Sequence, residues 1–311
     1  MKKNSFFAVL LLCATAGFAM PIASSARSMV PAELQQLIGV DYRALKDSPT
    51  AQALKAQVLP DNLKELETAL KGIGIDAEHD LEQLDFASFR TEKKGIQTVG
   101  VAQGSFSAKA VLKKMKLKKI AATKYGTTAI YPMDNGLVMT FLDDNTLAFG
   151  TPASLHSALD TRDGKRPSLD SNPVMTDQMS AVDGATVWSI LDQKGTQTMM
   201  FSVVGDAAAK VGDYESVKKR ILASRYTMNF ENGVSFDLSV VTSDAMTAAT
   251  LSTVVKGVML YKKLNASPIE KTAIDATTVD SDSSNVQVHF KSDDQKFQSL
   301  MHSPLFAAIS H

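Results

Sequence analysis

The chain has 311 residues, 44% of them hydrophobic and 21% charged, with 33 basic residues balancing 33 acidic ones. That composition belongs to an ordinary globular protein, long enough for two average domains or one large one, and it excludes a disordered or collagen-like chain. A net charge of zero supplies no global field to draw in a polyanion, so no nucleic acid is expected as a partner.

The first element is a leader. Lys2 and Lys3 precede the apolar run Phe6 to Ala19, and small residues follow, ending Ser24-Ser25-Ala26. A basic start, an apolar core too short to span a bilayer with margin and a small-x-small exit read as a secretory signal peptide over residues 1–26. Cleavage after Ala26 is expected, with the rest of the chain exported to the periplasm or beyond. Lys2 and Lys3 leave with the leader, so 31 basic residues then face 33 acidic ones. The single cysteine, Cys13, lies inside the apolar core, and its removal leaves no thiol for a disulfide, a metal or a nucleophile. A lipidated, retained Cys13 is the competing reading; bulky Leu12 stands where such signals place a small residue. No later stretch reaches about 18 uninterrupted apolar residues, so no transmembrane segment is expected in the mature chain.

Past the leader, Leu37 to Tyr42 predicts a short strand, and Ser48-Pro49 opens a helix with a capping residue and a proline at its first position. Leu63, Leu66, Leu70 and Ile73 form the apolar stripe of another helix. Strands are predicted over Leu84 to Phe89 and Ile96 to Gln103. In the helix Ser107 to Leu117, Ala108, Val111, Leu112 and Met115 share one face while Lys109, Lys113 and Lys116 point away. Asn135-Gly136 opens a strand system in which Leu137, Met139 and Phe141 share a face, before the turn Asp143-Asp144-Asn145 and the strand Thr146 to Phe149. Thr151-Pro152 and Asn172-Pro173 mark two further helix starts, the second inside a stretch rich in Asp, Ser, Pro and Gly.

A comparable order follows. Val187 to Leu191 predicts a strand, in which Trp188 is read as a buried residue. Asn232-Gly233 joins a hairpin whose second strand puts Val234, Phe236, Leu238 and Val240 on one face and Ser235, Asp237 and Ser239 on the other. A long helix from Ser243-Asp244 to about Leu264 is expected to bury Leu251, Val255, Val258 and Met259; Ser267-Pro268, strands Thr272 to Val279 and Val286 to Phe290, and a helix Asp294 to Met301 complete the run before Ser303-Pro304. The fold class expected is therefore α+β: antiparallel sheets covered by amphipathic helices, in two similar lobes over residues 27–165 and 186–311 with a linker at 166–185. One continuous sheet through both halves is the variant of that arrangement.

Few residues carry recognisable chemistry. Asp76, Glu78 and Asp80 have the spacing of the first three ligands of a calcium loop, but Leu81 stands where that loop needs glycine and Ala87 where it needs a bidentate glutamate. Capping of a short turn after Gly72 and Gly74 accounts for them without a metal. Lys109, Lys113 and Lys116 are candidates for contact with an anionic surface, against the simpler account of a solvated helix face. The five histidines show no paired metal spacing, and there is no Gly-x-Ser-x-Gly elbow and no His-Glu-x-x-His. Ser216-x-x-Lys219 matches a serine–lysine spacing without a convincing Lys-Thr-Gly companion. No catalytic residue and no cofactor is assigned.

The segment Gly74-Ile75-Asp76-Ala77-Glu78-His79-Asp80-Leu81-Glu82-Gln83-Leu84-Asp85-Phe86-Ala87 resembles one found in secreted bacterial proteins of unknown function. So does Leu142-Asp143-Asp144-Asn145-Thr146-Leu147-Ala148-Phe149-Gly150, followed by Leu155 and Leu159-Asp160. The resemblance covers mainly residues 37–165 and implies an exported α+β domain, with no site residue carried over. The expected function is a non-catalytic binding or envelope-associated role, with an apolar small molecule or an envelope protein held between lobes or between helices and sheet. A periplasmic or secreted hydrolase whose site is assembled from distant residues is the alternative.

Overall fold

A computed structural model describes residues 22–58, 61–91, 95–182, 184–201 and 214–303. Among them twelve strands join in one antiparallel sheet. They are β1 (Leu34–Asp41), β2 (Leu81–Thr91), β3 (Gly95–Gly104), β4 (Thr123–Tyr125), β5 (Thr128–Pro132), β6 (Val138–Phe141), β7 (Thr146–Gly150), β8 (Val187–Asp192), β9 (Ile221–Asn229), β10 (Val234–Thr242), β11 (Thr277–Asp282) and β12 (Asn285–Ser292). Their order across the sheet is β11-β12-β10-β9-β8-β1-β2-β3-β7-β6-β5-β4. The fold is α+β, as the alternation of apolar and polar residues predicts.

The centre of the sheet is the seam between the two halves of the chain, where β1 pairs with β8 from Gln36 opposite Leu191 to Val40 opposite Val187. Outward from the seam the strands run β1-β2-β3-β7-β6 on one side and β8-β9-β10-β12-β11 on the other. The two series match over these five positions; the first half adds β5 and β4 at its outer edge, and these strands with α6 separate β3 from β6 and β7 where α11 and α12 separate β10 from β11 and β12. The halves thus share a strand order and a single sheet.

The helices are α1 (Ser24–Arg27), α2 (Tyr42–Lys46), α3 (Pro49–Val58), α4 (Asp61–Ile73), α5 (Ala77–Asp80), α6 (Ala108–Leu117), α7 (Pro152–Arg162), α8 (Pro173–Ser180), α9 (described over 193–201), α10 (Tyr214–Lys218), α11 (Ala245–Leu264), α12 (Pro268–Asp275) and α13 (Asp294–Met301). One face of the first half is covered by α1, α7 and α8, which bury Ala26, Leu155, Leu159, Met175 and Met179 against Leu37, Phe89, Val99 and Trp188. The opposite face takes Leu70 and Ile73 of α4 and Val111 and Met115 of α6 against Leu84, Met139 and Leu147. In the second half α11 lays Leu251, Val254 and Val258 over Val240, Val279 and Val286. A fourth cluster joins the halves, with Leu45 of α2 and Ala51 of α3 packed with Phe230, Val234, Phe297 and Leu300.

The remaining face of the second half is polar, open at His289 and Thr278 and closed at Arg225, which donates to Gln178 of α8 at 2.7 Å, and at Ser239, which is buried. Cross-strand partners share a face, so the register sets Thr227, Asp237, His289 and Thr278 in one row and Arg225, Ser239, Gln287 and Asp280 in the next. Asp237 faces outward as the Asn232-Gly233 hairpin pattern predicts, whereas Ser239, expected outward on the same strand, is buried. Gly233 takes φ +104° there, and a Cβ on it would stand 2.3 Å from the Ser292 carbonyl oxygen, so glycine is required both by conformation and by space.

Several elements depart from the sequence expectation. The strand expected over Thr272 to Val279 begins only at Thr277, because α12 runs to Asp275. Ser267 and Glu270 form a reciprocal capping box that carries the helix past its first turn. The strand expected over Leu37 to Tyr42 begins at Leu34 and ends at Asp41, whose side chain accepts from the Ala44 N–H and starts α2. The Asp/Ser/Pro-rich stretch 166–185 is folded: it contains α8 and places Leu169, Met175 and Met179 in the core. Pro304 lies outside the described residues, so the helix start expected at Ser303-Pro304 does too.

Candidate functional site

A cleft of about 300 Å³ opens between α12, α13 and the end of β12. Three short-range rules build it. The capping box fixes the direction of α12, whose residues Ile269, Ala273 and Ala276 recur at helical spacing and form one wall. Alternation along β12 turns Phe290 into the floor, where its ring meets Phe297 of α13 at 6.4 Å in a tilted arrangement. Asp293 caps α13 by accepting from the Lys296 N–H at 2.8 Å, which sets Lys296 and Leu300 on the opposite wall.

The rim is charged. Lys291 and Lys296 both line the cleft, and the Lys296 ammonium sits 2.8 Å from the Asp293 carboxylate. That hydrogen-bonded lysine holds the Asp293 carboxyl below its ordinary range. Gln298 donates to the Thr50 hydroxyl at 3.2 Å and ties α13 to α3, so one wall is anchored to the first half of the chain. The result is an apolar floor with the Lys296–Asp293 ion pair at the mouth, chemistry suited to a small apolar molecule.

None of the side chains singled out from the sequence lines this cleft. Asp76 caps α5 by accepting from the Glu78 N–H at 3.0 Å, and Asp80 accepts from the Asp76 N–H at 2.8 Å. The capping hydrogen bond from Glu78 lowers the pKa of Asp76. Among the described residues no group of three acidic, histidine or cysteine side chains comes together in a metal-holding arrangement. The turn is held by its own hydrogen bonds. Asp76→Ala is therefore expected to cost about 1 kcal/mol, the ordinary worth of an N-cap, with urea midpoints that fall equally in calcium and in chelator.

Lys109, Lys113 and Lys116 are exposed on α6, while two neighbours in the same run are engaged. Lys114 donates to the Gly74 carbonyl at 3.1 Å and Lys118 to the Gly72 carbonyl at 2.7 Å, so they close the C-terminal end of α4. His289 faces outward, with Nδ1 2.5 Å from an Asp237 carboxylate oxygen on the open part of the polar face. A large electrostatic perturbation is at Asp85 in β2. It is 3% exposed and accepts from the Gln83 amide at 3.0 and 3.1 Å, and burial pushes its carboxyl up to about 8.

Sequence reading missed the cleft because half of its wall belongs to residues assigned to a strand. Ile269, Ala273 and Ala276 show the i, i+4, i+7 spacing of a helix face, and the Ser267-x-x-Glu270 capping box was the signal that announced it.

No protein-family model and no curated protein matches the chain. Solved structures do offer a match. The fold resembles that of TP0453. The structure of its crystal form I aligns over 89% of this chain and 96% of that one, with a TM-score of 0.50 and 9% sequence identity. At that identity the likeness to TP0453 concerns the path of the chain alone. Among the described residues, no helix is long and apolar enough to cross a membrane.

Proposed function

We propose that this protein is an exported, envelope-associated binding protein without catalytic activity, and that it takes a small apolar molecule into the cleft between α12, α13 and β12. The observation that carries this reading is the cleft itself, where Ile269, Ala273, Phe290 and Leu300 surround about 300 Å³ and the Lys296–Asp293 ion pair stands at the mouth. A volume at the lower end of the usual range for ligand sites suits a short acyl chain or a single ring system rather than a large cofactor. The leader supports the export part of the reading.

The test is a titration of the purified protein with anilinonaphthalene sulfonate, an anionic apolar probe, beside the variant Thr272→Trp. Thr272 is exposed at the cleft edge, so an indole there fills the mouth while leaving the core intact. Saturable binding by the natural protein and about tenfold weaker binding by the variant, equivalent to about 1.4 kcal/mol, is the expected result. Equal binding by both proteins refutes the assignment of the cleft.

A further inference from the structure

We infer that the leader is removed between Ala19 and Met20, so that the mature chain retains residues 20–26. The inference rests on the export reading above and moves the processed bond seven residues upstream of the position that the Ser24-x-Ala26 pattern suggests.

The reason is where residues 22–30 sit. Ile22, Ala26, Met29 and Val30 are 1%, 0%, 0% and 1% exposed, in one cluster with Leu34, Leu155, Leu159 and Leu169. Ala26 lies in α1, and Ile22, Met29 and Val30 flank the helix on either side. Polar groups also secure the segment: Ser25 donates to the Asp143 carboxylate at 2.8 Å, and the Arg27 guanidinium pairs with Asp170 at 2.5 Å. The Arg27 and Ala26 N–H groups both bond to the Ala23 carbonyl, at 2.9 and 3.0 Å. Leader residues are discarded and have no reason to complete a core. A cut after Ala26 would withdraw two fully buried side chains from the first-half core and set a new ammonium beside the space they leave.

The small residues at Ser24 and Ala26 have another cause. Ala26 is small because its methyl group is wholly enclosed in that core. Gly17-Phe18-Ala19, at the end of the apolar run, satisfies the same small-x-small requirement. At that site water adds its hydroxyl to the Ala19 carbonyl carbon and its proton to the Met20 nitrogen as the amide bond breaks. The catalyst required is an export peptidase that reads small side chains one and three residues before the bond.

Two substitutions in the full-length precursor separate the sites. Ala19→Arg puts a bulky charge at the upstream bond, and Ser24→Arg does so at the downstream one on a side chain that is exposed in the fold. N-terminal sequencing and intact mass of the exported protein should give Met20 as the first residue for the natural chain and for Ser24→Arg, with Ala19→Arg left unprocessed. A first residue of Arg27, with processing blocked by Ser24→Arg and unaffected by Ala19→Arg, overturns the inference while sparing the export reading. An acylated Cys13 at the N-terminus overturns it in the same way. Retention of the natural, unprocessed precursor in the cytosol overturns both.

Discussion

Asp85→Asn should make the protein more stable at pH 8 and leave it little changed at pH 4. Asp85 stands in the middle of β2, opposite Gly39 of β1 and Val101 of β3, neither of which brings a polar side chain to it. Burial is the larger influence on its carboxyl and raises the pKa to about 8 from 3.8, while the Gln83 hydrogen bond opposes that shift. The folded-state value is raised, so the favourable contribution is complete below the unfolded value, where both states hold the proton. Between about pH 4 and pH 8 the unfolded chain binds fewer protons than the folded one, and stability declines as pH rises. Above the folded value the loss is complete. At 1.36 kcal/mol per unit this amounts to at most about 6 kcal/mol. An asparagine amide of the same shape carries no such dependence. Urea midpoints of both proteins from pH 4 to pH 9 provide the check, since the difference between them isolates Asp85 from every other titrating group. A difference that stays flat across this range rules out a carboxyl buried in its neutral form.

Asp85 also marks the limit of what the residues alone disclose. In the chain it is one more acidic residue among Asp76, Glu78, Asp80 and Glu82, and nothing in Leu84-Asp85-Phe86 sets it apart. Its burial follows from tertiary facts: β2 lies between β1 and β3, and α1, α7 and α8 cover the face that it shares with Ala87 and Phe89. Local chemistry was legible wherever it decides conformation by itself. Asn232-Gly233 makes its turn, and Thr151, Asn172, Asp244 and Ser267 each accept a backbone N–H at the start of a helix.

Pairing across the seam was not readable, because β1 and β8 are separated by about 150 residues and both are short apolar runs that fit equally well in the middle or at the edge of a sheet. The cleft was hidden for a related reason. Thr272 to Val279 contains enough β-branched residues to suggest a strand, yet a capping box three residues before Ala273 outweighs that preference over one turn and more. Phe290 was correctly placed on a strand, but its role as a floor depends on α12 and α13 arriving from opposite sides.

The seam itself sets up the other large effect. Gly39 in β1 lies opposite Trp188 in β8, and the indole is folded across the glycine. A Cβ at position 39 would stand 2.2 Å from Trp188 Cε2 and 2.5 Å from Nε1, inside any possible contact distance. Trp188 is 3% exposed and packed among the core residues of the first half, so its ring has no free direction in which to retreat. Gly39→Ala is therefore expected to destabilise the protein by about 3 kcal/mol through overpacking at the strand pair that joins the halves. Trp188→Leu alone should cost a similar amount, about 3 kcal/mol, by leaving a void where the indole was. Combining them tests the contact directly. With the indole gone the added methyl meets open space, so the double variant should be less destabilised than the two single effects together, with a coupling of about 1–3 kcal/mol. Strict additivity in a chemical-denaturation cycle would mean that the indole does not rest on Gly39, and the account of how β1 and β8 are held at the centre of the sheet would fall with it.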